Sequence, residues 1–310
     1  MATSTARAAV AGAKEGVLAR RRARAAWWFL LPWGIGFLSF TLYPMADSLW
    51  LSFTNYNILN TPRFVGTANF AAMLAPHSLF WQSLKVTAYY VIGSVPIGTT
   101  IALVLAILLN QRVWGEGLFR TLFYIPSVVS GVAASILWEW IYQPQFGLLN
   151  SGLYRVFHIS NGPQWLQSTH TAMISLIIMS FWTVGGPMLI YLAGLQGIQY
   201  ELYEAAKVDG ARTWVLFRHI TVPMLTPQIL FNLVLGVIAS FQVFTSAYIM
   251  TDGGPGYATT TLVLYLYRTA FREFRMGYAS AVAWAIFAMI VLLTAMVFRS
   301  MAKRVFYGGE

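Results

Sequence analysis

Six stretches of the chain contain no Asp, Glu, Lys or Arg: residues 25–46, 86–111, 121–138, 171–200, 220–251 and 276–298. A hydrocarbon core about 30 Å thick is crossed by roughly 20 apolar residues in helical form, and a run of about 18 is already a candidate span. Every one of the six reaches that length. The predicted fold is therefore an all-α membrane protein with six transmembrane helices. Composition agrees, since only 10% of the 310 residues are charged, against about 25% in an ordinary soluble domain. The formal net charge of +10 comes from 20 Lys+Arg against 10 Asp+Glu, but the basic residues gather at the ends of the apolar stretches. That distribution suits topology control and gives no basis for a nucleic-acid partner. The absence of cysteine excludes disulfides, thiolate metal sites and cysteine nucleophiles. His77, His158, His170 and His219 show no metal-ligand spacing, so no metal is expected.

The chain divides into an Ala/Arg-rich tail (1–24), a membrane domain (25–299) and a short C-terminal tail (300–310). The first span follows Arg20, Arg21, Arg22 and Arg24 but is longer than the core of a cleaved leader, and no small-residue cleavage motif follows it. It reads as a retained anchor. With the N-terminus inside, fourteen Lys/Arg fall in inner segments, among them Arg112, Arg120, Lys207, Arg212, Arg218, Arg299, Lys303 and Arg304. Six fall outside: Arg63, Lys85, Arg155, Arg268, Arg272 and Arg275. The excess places both termini and the polar loop 201–223 in the cytoplasm, although the last outer segment, with three arginines, runs against the rule.

Pro32, Pro44, Pro96, Pro126 and Pro187 punctuate the spans, either as ordinary kinks or as joints of a bundle that opens. On the outer side, Asp252-Gly253-Gly254-Pro255-Gly256 is a turn. Residues 261–274, apolar and aromatic but too short to span, are predicted to lie as a helix on the outer surface. Asp47, Lys85 and Glu139 stand near outer span ends, within reach of water or a partner.

The most distinctive polar segment separates the fourth and fifth spans. Glu201-Leu202-Tyr203-Glu204-Ala205-Ala206-Lys207-Val208-Asp209 favours a helix with its acids early, where the macrodipole welcomes them. Gly210 supplies the left-handed residue that ends a helix. A second helix is predicted over 211–220, with Pro223 opening the fifth span. Ala205 and Ala206 leave a small face that another protein can approach closely; a pair of membrane-surface helices without a partner has the same pattern.

In the fifth span, at about 100° per residue, Gln228, Asn232, Gly236, Ala239 and Ser246 share a narrow arc, with Gln242 at its edge. Polar groups inside a membrane face the bundle or a cavity, though helix packing also selects small residues, Ser and Asn. A pathway for a hydroxylated solute calls for amides and hydroxyls beside an aromatic surface. That singles out Asn232, Gln242, Thr245, Ser246 and Tyr248. The chain has no Gly-x4-Gly-Lys-[Ser/Thr] stretch to cradle nucleotide phosphates, so energy must come from elsewhere.

The spacing Glu204-Ala205-Ala206, three residues, Gly210, nine residues, Ile220, then Val222-Pro223 resembles the shared loop of the integral membrane subunits of binding-protein-dependent ABC importers. There the last piece reads Ile-x-Leu-Pro, so Val222 is a mild departure. Phe64-Val65-Gly66 with Asn69-Phe70, Phe146-Gly147-Leu148-Leu149-Asn150, Gly253-Gly254-Pro255, and Tyr267-Arg268-Thr269-Ala270-Phe271 with Met276-Gly277-Tyr278-Ala279 are similar to the carbohydrate-uptake branch. That branch includes permeases of maltose, lactose and glycerol-phosphate importers.

The resemblance implies a translocation subunit, not an enzyme, in the bacterial cytoplasmic membrane, moving a sugar or related polyol. Its partners would be a second homologous permease, two ABC ATPase subunits carrying the ATP and Mg, and an extracellular substrate-binding lipoprotein; this chain would hold no cofactor. The loop between helices 4 and 5 would be the coupling element, set into a cleft of the ATPase. Glu204 would face a basic residue there, Gly210 would hold the turn, and Ala205, Ala206, Asp209, Ile220 and Pro223 would complete it. Two other readings compete. A stand-alone secondary transporter or channel calls for intramembrane acids or an internal repeat, and a membrane enzyme calls for a catalytic constellation at membrane depth. Neither is visible in the six uncharged stretches.

Overall fold

The computed structural model describes residues 27–111, 115–159 and 162–302. The N-terminal tail, Arg112 and the C-terminal tail beyond 302 lie outside the described residues. Helix α1 (Trp27–Ser52) leads into a two-residue antiparallel ribbon, β1 (Thr54–Asn55) against β2 (Arg63–Phe64). A short helix α2 (Ala68–Leu74) and the long α3 (Leu79–Leu109) follow. Next come α4 (Glu116–Val128) and α5 (Gly131–Ile141), which meet at 101°, and α6 (Leu148–Phe157). The pair α7 (Ala172–Thr183) and α8 (Gly185–Gln196) is bent by 44°. After α9 (Tyr200–Val208), α10 (Thr213–Met224) and α11 (Thr226–Phe241) are bent by 65°. Helices α12 (Thr245–Thr251), α13 (Leu262–Tyr267) and α14 (Met276–Ala302) complete the described chain.

The described residues thus hold three unbroken spans, α1, α3 and α14, and six crossings if each bent pair is one. The bends have local causes. Ser130 begins α5 by accepting a hydrogen bond from the Ala133 amide at 3.3 Å, which satisfies a first-turn donor and starts a new helix rather than continuing α4. The α7–α8 joint at Val184 precedes Gly185-Gly186-Pro187, and α11 restarts with Pro227 in its first turn. Pro223 does not open the fifth span as predicted; it lies in the last turn of α10, and the opening falls at Thr226-Pro227. Pro96 sits inside α3 without breaking it. Proline therefore marks a joint here only where its neighbours also favour one.

α3 runs through the middle of the bundle and packs along α8 and α11. Ala102 and Ala106, both fully buried, meet Met188, Tyr191 and Leu192. Between helices in lipid there is little hydrophobic drive, so small residues that permit close van der Waals contact carry the association. Outward faces are correspondingly apolar, as on α1, where Phe29 is 86% and Phe40 85% exposed.

The end of the bundle opposite α9, called the far end below, is pinned by polar side chains that, Tyr265 apart, belong to the quoted motifs. The Asn69 amide donates to the carbonyls of Ser52 and Thr54, both at 2.8 Å. Asn150 donates to the carbonyls of Pro144 and Pro163 and accepts from the Trp165 indole at 2.8 Å. The Tyr265 and Tyr278 hydroxyls are 2.9 Å apart.

The predicted surface helix over 261–274 is corrected by the structure. Leu262, Leu264, Tyr265, Thr269 and Ala270 are buried, and the segment turns back into the bundle instead of lying on it. Residues 262–267 are apolar all round, which suits a buried helix and not an interfacial one. The Leu262 amide donates to Thr87 Oγ1 at 2.9 Å, and the Thr261 hydroxyl donates to the Val243 carbonyl at 2.9 Å. Thr87→Val keeps the shape but strips a buried helix-start amide of its acceptor. It is expected to destabilise the protein by about 1–3 kcal/mol, read as a lowered melting temperature in detergent, with Thr87→Ser near wild type.

Candidate coupling loop and transport cavity

Helix α9 starts after an extended Gln199, carries Glu201 in its first turn and Lys207 in its last, and so has charges matched to its dipole at both ends. It ends as its sequence dictates. The Ala211 amide donates to the Ala206 carbonyl at 2.9 Å and the Gly210 amide to the Lys207 carbonyl at 3.0 Å, the paired bonds of a Schellman cap. Gly210 has φ of +80° with open space around it, so what requires glycine is backbone conformation and not crowding. The returning α10 is held against α9 by the Tyr203 and Thr221 hydroxyls, 3.0 Å apart. Leu202, His219, Ile220, Pro223 and Met224 line a cavity of ≈ 260 Å³ at the base of this hairpin.

The tip of the hairpin is unlike a solvated turn. Val208 is 89% and Trp214 67% exposed, beside exposed Glu204, Ala205 and Asp209. Among the described residues Glu204 and Asp209 form no ion pair. An apolar residue and a tryptophan flanked by free acids form the kind of surface that a protein partner covers. Of the residues singled out from the sequence, Glu204, Ala205, Ala206, Asp209 and Gly210 gather on this tip, while Ile220 and Pro223 lie at its base. The Tyr203–Thr221 clamp was missed; its signal is faint, two hydroxyl residues facing one another across the turn.

In the bundle interior a cavity of ≈ 470 Å³ opens between α3, α7, α8 and α11. Its polar wall includes Ser94, Thr183, Asn232 and Ser240. The Ser94 and Ser240 hydroxyls are 3.3 Å apart, and the Asn232 amide donates to the Pro187 carbonyl at 3.4 Å. Asn232, Gly236 and Ala239 from the predicted arc line it. Gln242, Thr245, Ser246 and Tyr248 do not, because the chain breaks between α11 and α12 at Gln242–Phe244 and the helical phase is lost. Thr245 instead packs beside Gly131 of α5, and Tyr248 stacks on Phe244. Sequence reasoning overlooked Ser94 and Thr183, whose signal was a hydroxyl inside an otherwise apolar stretch.

At the far end, Asp252 pairs with Arg272 at 3.0 Å and Arg268 at 3.1 Å. Desolvation pushes its carboxyl up, but hydrogen bonds and charge from Arg272 and Arg268 outweigh this and hold it below the ordinary carboxylate value. The cluster thus keeps its charges through neutral pH. Its contribution is lost as pH falls through that lowered value.

Residues 95–306 match the family described as "Binding-protein-dependent transport system inner membrane component". The chain belongs to this permease family. The permease is 43% identical over 285 residues to the probable ABC transporter permease protein YesP of Bacillus subtilis (strain 168), covering 91% of this chain and 92% of the relative. It is 37% identical over 285 residues to the lactose transport system permease protein LacF of Rhizobium radiobacter, with 90% and 94% covered. Its fold is shared with a bacterial ABC transporter involved in the import of the acidic polysaccharide alginate, at TM-score 0.80 and 22% identity over 91% of this chain and 96% of that chain. As a member of that family the permease is an inner-membrane transport subunit and not an enzyme.

Proposed function

We propose that this permease is the translocation subunit of an ATP-driven importer that carries a sugar or related polyol across the bacterial cytoplasmic membrane. The observation that carries the reading is the exposed α9–α10 tip, where Val208 is 89% and Trp214 67% exposed and Glu204 forms no ion pair among the described residues. An ATPase pair binding ATP and Mg grips that tip from the cytoplasm, with both permease termini on the same side. A second homologous permease completes the pathway, and an extracellular substrate-binding lipoprotein delivers the solute. The ≈ 470 Å³ cavity, with its serines, threonines and Asn232, is the part of the pathway this chain supplies. Hydroxyl and amide groups facing an otherwise apolar cavity suit a hydroxylated solute. Gln242, in the break that follows α11, and Thr245, Ser246 and Tyr248, past it, lie outside the cavity. The sugar class is supported by relatives named as lactose, arabinooligosaccharide and starch-degradation-product permeases.

Since the chain lacks cysteine, a single Val208→Cys variant tests the orientation and the docking together. A membrane-impermeant maleimide is expected to label it in inside-out vesicles stripped of ATPase and not in intact cells, and adding back the ATPase subunits is expected to protect it. Labelling from the exterior of intact cells would overturn the reading.

A further inference from the structure

Three arginines in the segment 268–275 run against the inside-positive distribution, and neither the α9–α10 tip nor the cavity accounts for them. Arg275 pairs with Glu273 and lies over Tyr278, but Arg272, and Arg268 through their shared Asp252, stand beside a column of aromatic rings. Phe244 and Tyr248 stack at 5.2 Å with their planes 13° apart. Tyr267 packs on both, at 5.0 Å from Phe244 and 5.4 Å from Tyr248, and Phe271 follows at 5.3 Å. Phe271, at the top of the column, is 56% exposed. Phe244, at its foot, directly follows Val243, a wall residue of the ≈ 470 Å³ cavity.

Rings at a membrane boundary are often an interfacial belt. Here four rings touch in sequence, and the column connects the cavity wall with an ion cluster. The Arg272 guanidinium lies 5.7 Å from the Tyr248 ring centre and donates to both carboxylate oxygens of Asp252, at 3.0 and 3.2 Å. Arg268 pairs with the same carboxylate at 3.1 Å. Two guanidinium groups thus share one carboxylate, leaving a surplus positive charge beside the rings. Arg272 remains 47% exposed on its side chain, against 19% for Arg268, so Arg268 can keep Asp252 while Arg272 turns to a ligand.

We propose that this column is a second, outer sugar subsite for an acidic oligosaccharide: the C–H face of a pyranose ring lies on Tyr267 and Phe271, and the carboxylate of that sugar is met by Arg272. The apolar face of a sugar matches the face of an aromatic ring, and the Tyr267 and Phe271 planes, 40° apart, form a shallow corner for it. A planar guanidinium matches a carboxylate two bonds at a time. The proposal rests on the reading of the solute as a carbohydrate and adds both a site and a charge to it.

The test uses the assembled importer in nanodiscs without nucleotide, titrated calorimetrically with digalacturonate and with cellobiose as acidic and neutral probes. Digalacturonate is expected to bind about tenfold more tightly than cellobiose, and the Tyr267→Ala/Phe271→Ala double variant is expected to weaken it by about tenfold. Phe271→Trp should retain binding, and Arg272→Gln should erase the preference for the acidic probe. No binding of digalacturonate, equal binding of the two probes, or unchanged affinity in the double variant overturns the proposal. So does an Arg272→Gln variant that loses only its capture of the binding protein, which would make the segment a protein-docking surface. The underlying transport reading is scored separately by uptake in Asn232→Leu, whose side chain lines the cavity and not the column. If that variant stops uptake while the ring and arginine variants bind and transport normally, the outer subsite fails and the importer stands.

Discussion

Replacing Glu204 with lysine is expected to abolish ATP-driven uptake while leaving the isolated permease as stable as wild type. The second half follows from the structure: Glu204 is exposed on α9 and forms no ion pair among the described residues, so no ion pair among them is lost. The first half follows from the proposed cleft of the ATPase, where a desolvated acid faces a base. Losing one member of such a pair costs about 2–5 kcal/mol, and reversing its sign adds repulsion. Co-purification of the ATPase should fall in parallel with uptake, and a charge reversal on the facing base should restore part of both. Wild-type uptake by Glu204→Lys would remove the α9–α10 tip from the mechanism.

Gly185→Val should be strongly destabilising. A Cβ at Gly185 would run into the Phe123 carbonyl and the Tyr124 Cα, so α4 and α8 touch backbone to backbone at this point. Backbone atoms cannot rotate aside as a side chain does, and overpacking of this kind costs about 1–3 kcal/mol or more. The neighbouring Gly186 is the internal control, because a Cβ there would meet nothing within 4 Å. A marked fall in melting temperature for Gly185→Val with little change for Gly186→Val is the expected pattern; equal falls would show that the α4–α8 approach is not tight.

Much of this architecture is legible in the residues. The uncharged stretches coincide with the three unbroken spans and the three bent pairs because an ionised group at membrane depth is costly. Gly210 marks the end of α9 because only a left-handed residue closes that cap. The breaks are another matter. Pro96 leaves α3 intact, whereas Ser130 ends a helix run with no proline at the joint itself. In lipid, neighbouring helices decide whether freed backbone groups are satisfied, and those neighbours are set by tertiary packing. The predicted arc failed beyond Ala239 for the same reason: a fixed angle per residue holds only while the helix does, and three non-helical residues reset it. Residues 261–274 were too short to span, and length alone does not distinguish a helix lying on a bundle from one plugged into it. The all-round apolarity of Leu262–Tyr267 was the cue.

The contrast between α1, α3 and α14, each continuous, and the three jointed pairs divides the molecule mechanically. A straight helix passes an applied push along its length with little deformation, whereas a joint stores it as rotation. Force delivered at α10 therefore first meets the 65° elbow at Leu225, whose side chain is fully enclosed against α3 and α8. In the proposed coupling that enclosed leucine would be the fulcrum: motion below it would swing α10, and only the component that Leu225 transmits would reach the cavity wall on α11.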